Sequence, residues 1–330
     1  MRLFSPHARV PASRLFFAFS SVLLVLSVLP RPVRAQQKTA SAPPVCVPAD
    51  VAALIVSEGH SVRVNPVKES GRQGSRSSAM ALGTTADFGL KEAYDIFLKE
   101  ARQGNPAAQV NLAIVSLAGW GTQPNAGVAL YWLHAAADRG YVPAFYDLGI
   151  LYFNGCGVRH DFGEAFGFFE KGALGGDTAA QVNLGYFYDH GIGVPLDHAA
   201  AASWYRKAAE SGELQAQYNL ADLYLHGEGV PFDEATAFAW FQKAAQQGHT
   251  GARIMLGSML AAGRGAPKDL FAAYRWISAA ALQGDIRGNA TLLALERQLN
   301  PAQLKQAKTE AQSLAQATKP LPELALLHQR

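Results

Sequence analysis

Two cysteines, Cys46 and Cys156, are all that 330 residues hold, and no Cys-x-x-Cys or His-Glu-x-x-His occurs, so zinc ligation lacks its usual spacing. Ser-x-x-Lys, Ser-Asp-Asn and Lys-Thr-Gly are also missing, which leaves no nucleophile and base at a known hydrolase spacing. Two Asp-Phe-Gly triplets, Asp87–Gly89 and Asp161–Gly163, match a kinase metal triplet by chance, because no glycine-rich strand or catalytic loop accompanies them. These absences predict a chain that is not an enzyme and holds no metal and no cofactor. A membrane span is missing too: the longest apolar run, Leu15–Leu29, is 15 residues with serines inside it, against the roughly 20 a spanning helix needs.

That run has a different reading. Arg2, Arg9 and Arg14 precede it and Val33-Arg34-Ala35 follows it, the pattern of a signal peptide (residues 1–35) cleaved before Gln36. The expected location is periplasmic or secreted, with no stable membrane insertion after cleavage. Cleavage removes five arginines and no acid, leaving 24 basic side chains against 26 acidic, so the basic stripe a nucleic-acid partner requires is missing. Residues 36–85 turn to Ser, Gly, Ala and Pro and read as a flexible tether. In an oxidising compartment Cys46 and Cys156 suggest one disulfide, folding the tether back; the alternative is that both cysteines are incidental.

What the chain has in abundance is self-similarity. An alanine recurs every 36 residues at Ala108, Ala144, Ala180, Ala216 and Ala252, followed four places on by Leu112, Leu148, Leu184, Leu220 and Leu256. Paired glycines close each first helix, from Gly119 and Gly121 to Gly263 and Gly265. Asn125, Asp161, Asp197, Asp233 and Asp269 are N-cap residue types, and Asp161 with Glu164 reads as a capping box. An aromatic column, Trp132, Phe168, Trp204, Trp240 and Trp276, is expected to fill the space between units. A period of this length means stacked helix pairs, since one unit cannot bury its apolar face alone. The expected unit is a helix of about 12 residues, a glycine turn and a second helix of about 14.

These columns resemble the Sel-1-like repeat, a relative of the tetratricopeptide repeat, in phrases such as Ala216-Gln217-Tyr218-Asn219-Leu220-Ala221 and His226-Gly227-Glu228-Gly229. The resemblance implies an all-α, right-handed superhelical αα-solenoid: a half repeat (86–107), five repeats (108–287), a capping helix pair (288–316) and a disordered tail (317–330). It also implies a non-catalytic adaptor or regulator in the bacterial envelope. The alternatives are a β-lactam or cell-wall hydrolase of the same repeat type, or an assembly factor for an envelope or exopolysaccharide machine.

Helical geometry then places a partner surface. Positions two, six and nine after each opening alanine are expected to face the concave side. They form an apolar and aromatic groove in which Tyr146, Ile150, Phe153, Val182, Tyr186, Tyr218 and Asp222 lead, with Val110, Ile114, Leu117, Asp189 and Leu225 among the others. Asn111, Asp147, Asn183 and Asn219 make a polar ladder that either clamps an extended peptide or holds neighbouring turns together. The expected partner is a protein or peptide, and the chain is expected to be a monomer. His190 and His226 share one register position and are a candidate weak metal or pH-sensing pair, although a polar residue beside a helix stop accounts for both.

Overall fold

The computed structural model describes residues 88–318; the leader, the tether with Cys46 and the tail from 319 lie outside them. A lead helix, α1 (Phe88–Arg102), precedes five helix pairs. These are α2 (Pro106–Ala118) with α3 (Ala126–Ala137), α4 (Val142–Asn154) with α5 (Phe162–Leu174), α6 (Thr178–His190) with α7 (His198–Glu210), α8 (Leu214–His226) with α9 (Glu234–Gln246), and α10 (Thr250–Ala262) with α11 (Leu270–Leu282). A 3-10 turn, Ile286–Gly288, leads to α12 (Asn289–Glu296) and α13 (Pro301–Ala317). The two helices of a pair pack on each other, and each second helix packs on the first helix of the next pair, an all-α, right-handed αα-solenoid.

Local chemistry sets the boundaries. Every first helix of a pair ends on a glycine in the left-handed region, Gly119, Gly155, Gly191, Gly227 and Gly263, with φ between 63° and 71°. Each second helix starts on an Asn or Asp whose side chain accepts from backbone N–H groups of its first turn. The expected capping box at Asp161 is only half present. Asp161 accepts from the Gly163 and Glu164 amides, but its own N–H donates to the Tyr152 carbonyl at 3.0 Å. The same bond recurs from Asn125 to Ser116, Asp197 to Tyr188, Asp233 to Tyr224 and Asp269 to Leu260, so the glycine loop is closed by backbone and leaves Glu164 no donor to meet.

The core is a row of five clusters, each joining neighbouring pairs or a pair and a flanking helix. The opening alanines are 0 % exposed and the leucines after them 0–1 %. The aromatic column does border the clusters, Trp132 and Trp240 each touching two of them, but it is not the fully buried column. Trp132, Phe168, Trp204 and Trp240 are half-buried, and only Trp276 is buried. The side chains that fill each unit stand one residue later, at Leu133, Phe169, Tyr205, Phe241 and Ile277, at 0–1 % exposure. The Phe169 and Tyr205 rings lie where a side chain at Gly149 or Gly185 would point, 2.6 Å from an added Cβ, which explains the small column. Trp204 and Trp240 instead lie under Lys207 and Lys243, whose Nζ atoms sit 3.9 and 3.8 Å from the ring centroids.

From the second helix pair onward the second glycine, Gly157, Gly193, Gly229 or Gly265, serves stacking on the preceding pair. A Cβ on Gly229 would lie 2.2 Å from the His198 carbonyl carbon of the preceding pair, so only glycine lets the two backbones approach. At the C-terminal end, where a capping helix pair is expected over 288–316, α12 stops at Glu296 and α13 opens on the capping box of Asn300 with Gln303. Ala307, Ala311 and Ala315, at helical spacing, are buried against α11, while Arg275–Glu310 (2.8 Å) and Tyr274–Glu296 (2.8 Å) tie its rim.

Candidate functional site

The first helices of the pairs carry the candidate surface. Tyr146, Ile150 and Phe153 of α4 and Tyr186 of α6 are half-buried and border one cluster, built on Phe169, Leu184 and Phe187. Phe153 bridges neighbouring pairs, its ring 5.8 Å from Phe187 and 5.6 Å from the exposed Phe162. Val182 borders the next cluster and Tyr218 the one beyond, so the structure brings four of the six apolar candidates together and sets the other two further along. Two of the wider set fall inside the core: Val110 is 1 % exposed and Leu225 6 %. Each is enclosed by its own partner helix and the first helix of the following pair: Val110 clusters with Leu133 and Leu148, and Leu225 with Phe241 and Leu256.

The polar ladder is engaged within the fold. Asn183 donates from Nδ2 to the Ala179 carbonyl at 2.9 Å, Asn219 accepts from Gln215 Nε2 at 2.9 Å, and Asn111 is buried. Asp147 carries the pKa that departs most from the carboxylate norm in this row. Burial, then the nearby Asp177, raises it to about 7.

Histidines decorate the row. His190 Nδ1 lies 3.1 Å from the Tyr186 carbonyl and its ring stacks on Tyr186 at 4.0 Å. His226 Nδ1 lies 2.9 Å from the Asp222 carbonyl; its hydrogen bond to the Asp222 carboxylate leads in raising its pKa to about 9. Both therefore close the end of their own helix. Among the described residues no group of three or more His, Cys, Asp or Glu side chains is arranged to hold a metal ion. His249 caps α10, Nδ1 accepting from the Ala252 amide at 3.0 Å, which puts its proton on Nε2 toward Gln215 Oε1, also 3.0 Å away. Burial, then Arg287, lowers its pKa to about 4, and Tyr218 stacks on it at 4.6 Å.

Sequence reasoning missed two features. Asp189 accepts from His198 at 2.8 Å and lies 3.5 Å from the Tyr205 hydroxyl, a carboxylate–imidazole pair in which no serine, threonine or cysteine among the described residues bonds to His198. The residue after each opening alanine is Gln109, Phe145, Gln181, Gln217 or Arg253; the three glutamines and the arginine reach the carbonyl eight residues back, at Ala101, Ala173, Ala209 and Ala245. The Gln recurrence was visible at the 36-residue period, but its role depends on a carbonyl in the preceding helix. Cys156 is buried, 4 % exposed, beside the cluster of α2–α4, and its suggested partner Cys46 lies outside the described residues.

Comparison places this architecture. The Sel1 repeat matches residues 106–141, 143–177, 178–213, 214–249 and 251–285, one per helix pair. Among solved structures, a Sel1 repeat protein from Oxalobacter formigenes is 27 % identical with a TM-score of 0.59, over 71 % of this chain and 92 % of that one. The structure of c5321, a protective antigen of uropathogenic Escherichia coli with the same repeat fold, is 26 % identical with a TM-score of 0.50 over 72 % of this chain. This chain spans only 59 % of that protein's length. No curated protein sequence matches. Five consecutive matches covering more than half of the chain show that it belongs to the Sel1 repeat family.

Proposed function

We propose that this chain is a non-catalytic adaptor or regulator of the bacterial envelope that binds a partner protein or peptide along its first-helix face. Sel1 repeats are protein-interaction modules, and the family is typically of non-enzymatic adaptor type. The observation that carries the reading is the contiguity of Tyr146, Ile150, Phe153 and Tyr186, half-buried around one cluster across two pairs. Such side chains bring large contact area at small cost in rotamer freedom. Export rests on the leader pattern of residues 1–35, with support from the similarity to a protein described as a protective antigen. Mass spectrometry of the exported protein tests it: an N-terminus at Gln36 is expected, and a retained leader contradicts it.

The binding test is a pull-down of partners by the tagged full chain, repeated with Tyr146→Ala/Tyr186→Ala. Loss of a specific partner from a folded variant is expected. An unchanged partner set contradicts the reading.

A further inference from the structure

Charge is divided between the two kinds of helix. The first helices α4, α6 and α8 carry Asp147, Asp189 and Asp222 and no lysine or arginine. The arginine of α10, Arg253, is 0 % exposed and its guanidinium is spent on the Ala245 carbonyl, Gln283 and Thr318. Lys171, Arg206, Lys207, Lys243 and Arg275 all stand on second helices.

The half-buried tyrosines thus stand on helices that carry no lysine or arginine, and the one guanidinium near Tyr218, Arg287, is paired with Asp285. Two of the carboxylates of this face are held in place: Asp189, 17 % exposed, by His198, and Asp222, 37 % exposed, beside His226 at 3.5 Å. Three carboxylates against His226, whose pKa rises to about 9, leave the face negative once Asp147 ionises at about 7. Tyrosine rings present a negative π-face to cations, and oriented carboxylates take guanidinium or ammonium groups in charge-assisted hydrogen bonds. Electrostatic complementarity of this kind selects the partner more than it sets raw affinity.

We infer that the segment taken by this face is cationic, its Arg or Lys side chains meeting Asp189 and Asp222 alongside Tyr146 and Tyr186. This rests on the groove reading above and specifies its partner.

The test is fluorescence anisotropy of the full chain with three labelled peptides, (Arg-Ala)6, (Glu-Ala)6 and (Ser-Ala)6, at two salt concentrations. The basic probe is expected to bind at least about ten-fold more tightly than the others, and more weakly as salt rises. Asp222→Asn, at a partly exposed position where folding is retained, is expected to weaken the basic probe about five- to ten-fold. Equal binding of the three probes, no binding of the basic probe at 1 mM, or an unchanged affinity in Asp222→Asn overturns the inference. The arms separate the two readings through Tyr186→Ala. If it weakens the acidic or neutral probe, the groove stands and the charge inference falls; if it changes no probe's binding, the groove falls as well.

Discussion

Arg253 Nη2 donates to the Thr318 hydroxyl at 2.9 Å, joining the first helix of the fifth pair to the end of α13. The same guanidinium reaches the Ala245 carbonyl (3.1 Å) and Gln283 Oε1 (2.8 Å), and Gln283 Nε2 donates to the Ala315 carbonyl at 3.2 Å. In three earlier pairs a glutamine makes the first of these bonds, and Gln217 also accepts from Gln247, the counterpart of Gln283, at 2.8 Å; none of them reaches a cap. The arginine is therefore the glutamine of the repeat extended to hold the cap.

Arg253→Gln should keep the bond to Ala245, can meet Gln283 as Gln217 meets Gln247, and should lose the bonds to Leu314 and Thr318, a cost of about 1–3 kcal/mol for hydrogen bonds from a charged donor. Hydrogen exchange is the readout: protection is expected to fall first along α13. A uniform loss across all pairs would mean that the arginine acts on the whole array and not on the cap.

The buried column gives a second prediction. Tyr205→Ala should cost about 3–5 kcal/mol, the range for emptying a large aromatic site, because Tyr205 is 0 % exposed. Trp204→Ala should cost about 1–2 kcal/mol, since a half-buried ring loses less area. Urea unfolding of the two variants decides the order, and a reversed order would restore the column that the sequence alone favoured.

Asp147 predicts a pH dependence. Its folded pKa, raised to about 7 first by burial and then by Asp177, lies above its unfolded value, so the folded chain binds the extra proton. Stability from this site is then present at low pH and falls as pH rises from about 4 to about 7, by at most about 4 kcal/mol at roughly 1.4 kcal/mol per unit. Asp147→Asn, the residue type of the neighbouring rows, should match the parent near pH 4 and exceed its stability at pH 8. Parallel stability curves for the two proteins would contradict the assignment.

Gly229→Ala tests the stacking contact. Its φ of +67° and the approach of an added Cβ to within 2.2 Å of the His198 carbonyl carbon both oppose a side chain. A loss of about 2–4 kcal/mol is expected, above the roughly 1 kcal/mol of left-handed backbone alone. Thermal unfolding measures it, and a loss of only about 1 kcal/mol would remove the contact from the account.

The sequence made the repeat legible because each column answers to a local rule: glycine for a left-handed stop, Asp or Asn for a helix start, alanine where helices touch. It misplaced the filling side chain by one residue, because Trp204 and Tyr205 are both large and aromatic, and only the neighbouring helices decide which of them turns inward. The groove was legible as a helical face, yet Val110 and Leu225 went to the core where the next pair covers them. The Asp189–His198 bond joins two helices across a glycine turn, and no local rule reports it. Arg206 of α7 donates to the Tyr224 hydroxyl of the next pair at 3.0 Å, a packing contact between pairs that no local rule reports either.

The most direct test of partner binding on the first-helix face is in vivo photocrosslinking from position 186 in α6, with the exposed Ser203 of α7 as control and mass spectrometry of the trapped species. A dominant adduct seen from 186 and absent from 203 is the predicted result. Adducts from 203 alone, or the same adducts from both sites in folded, exported protein, would contradict it.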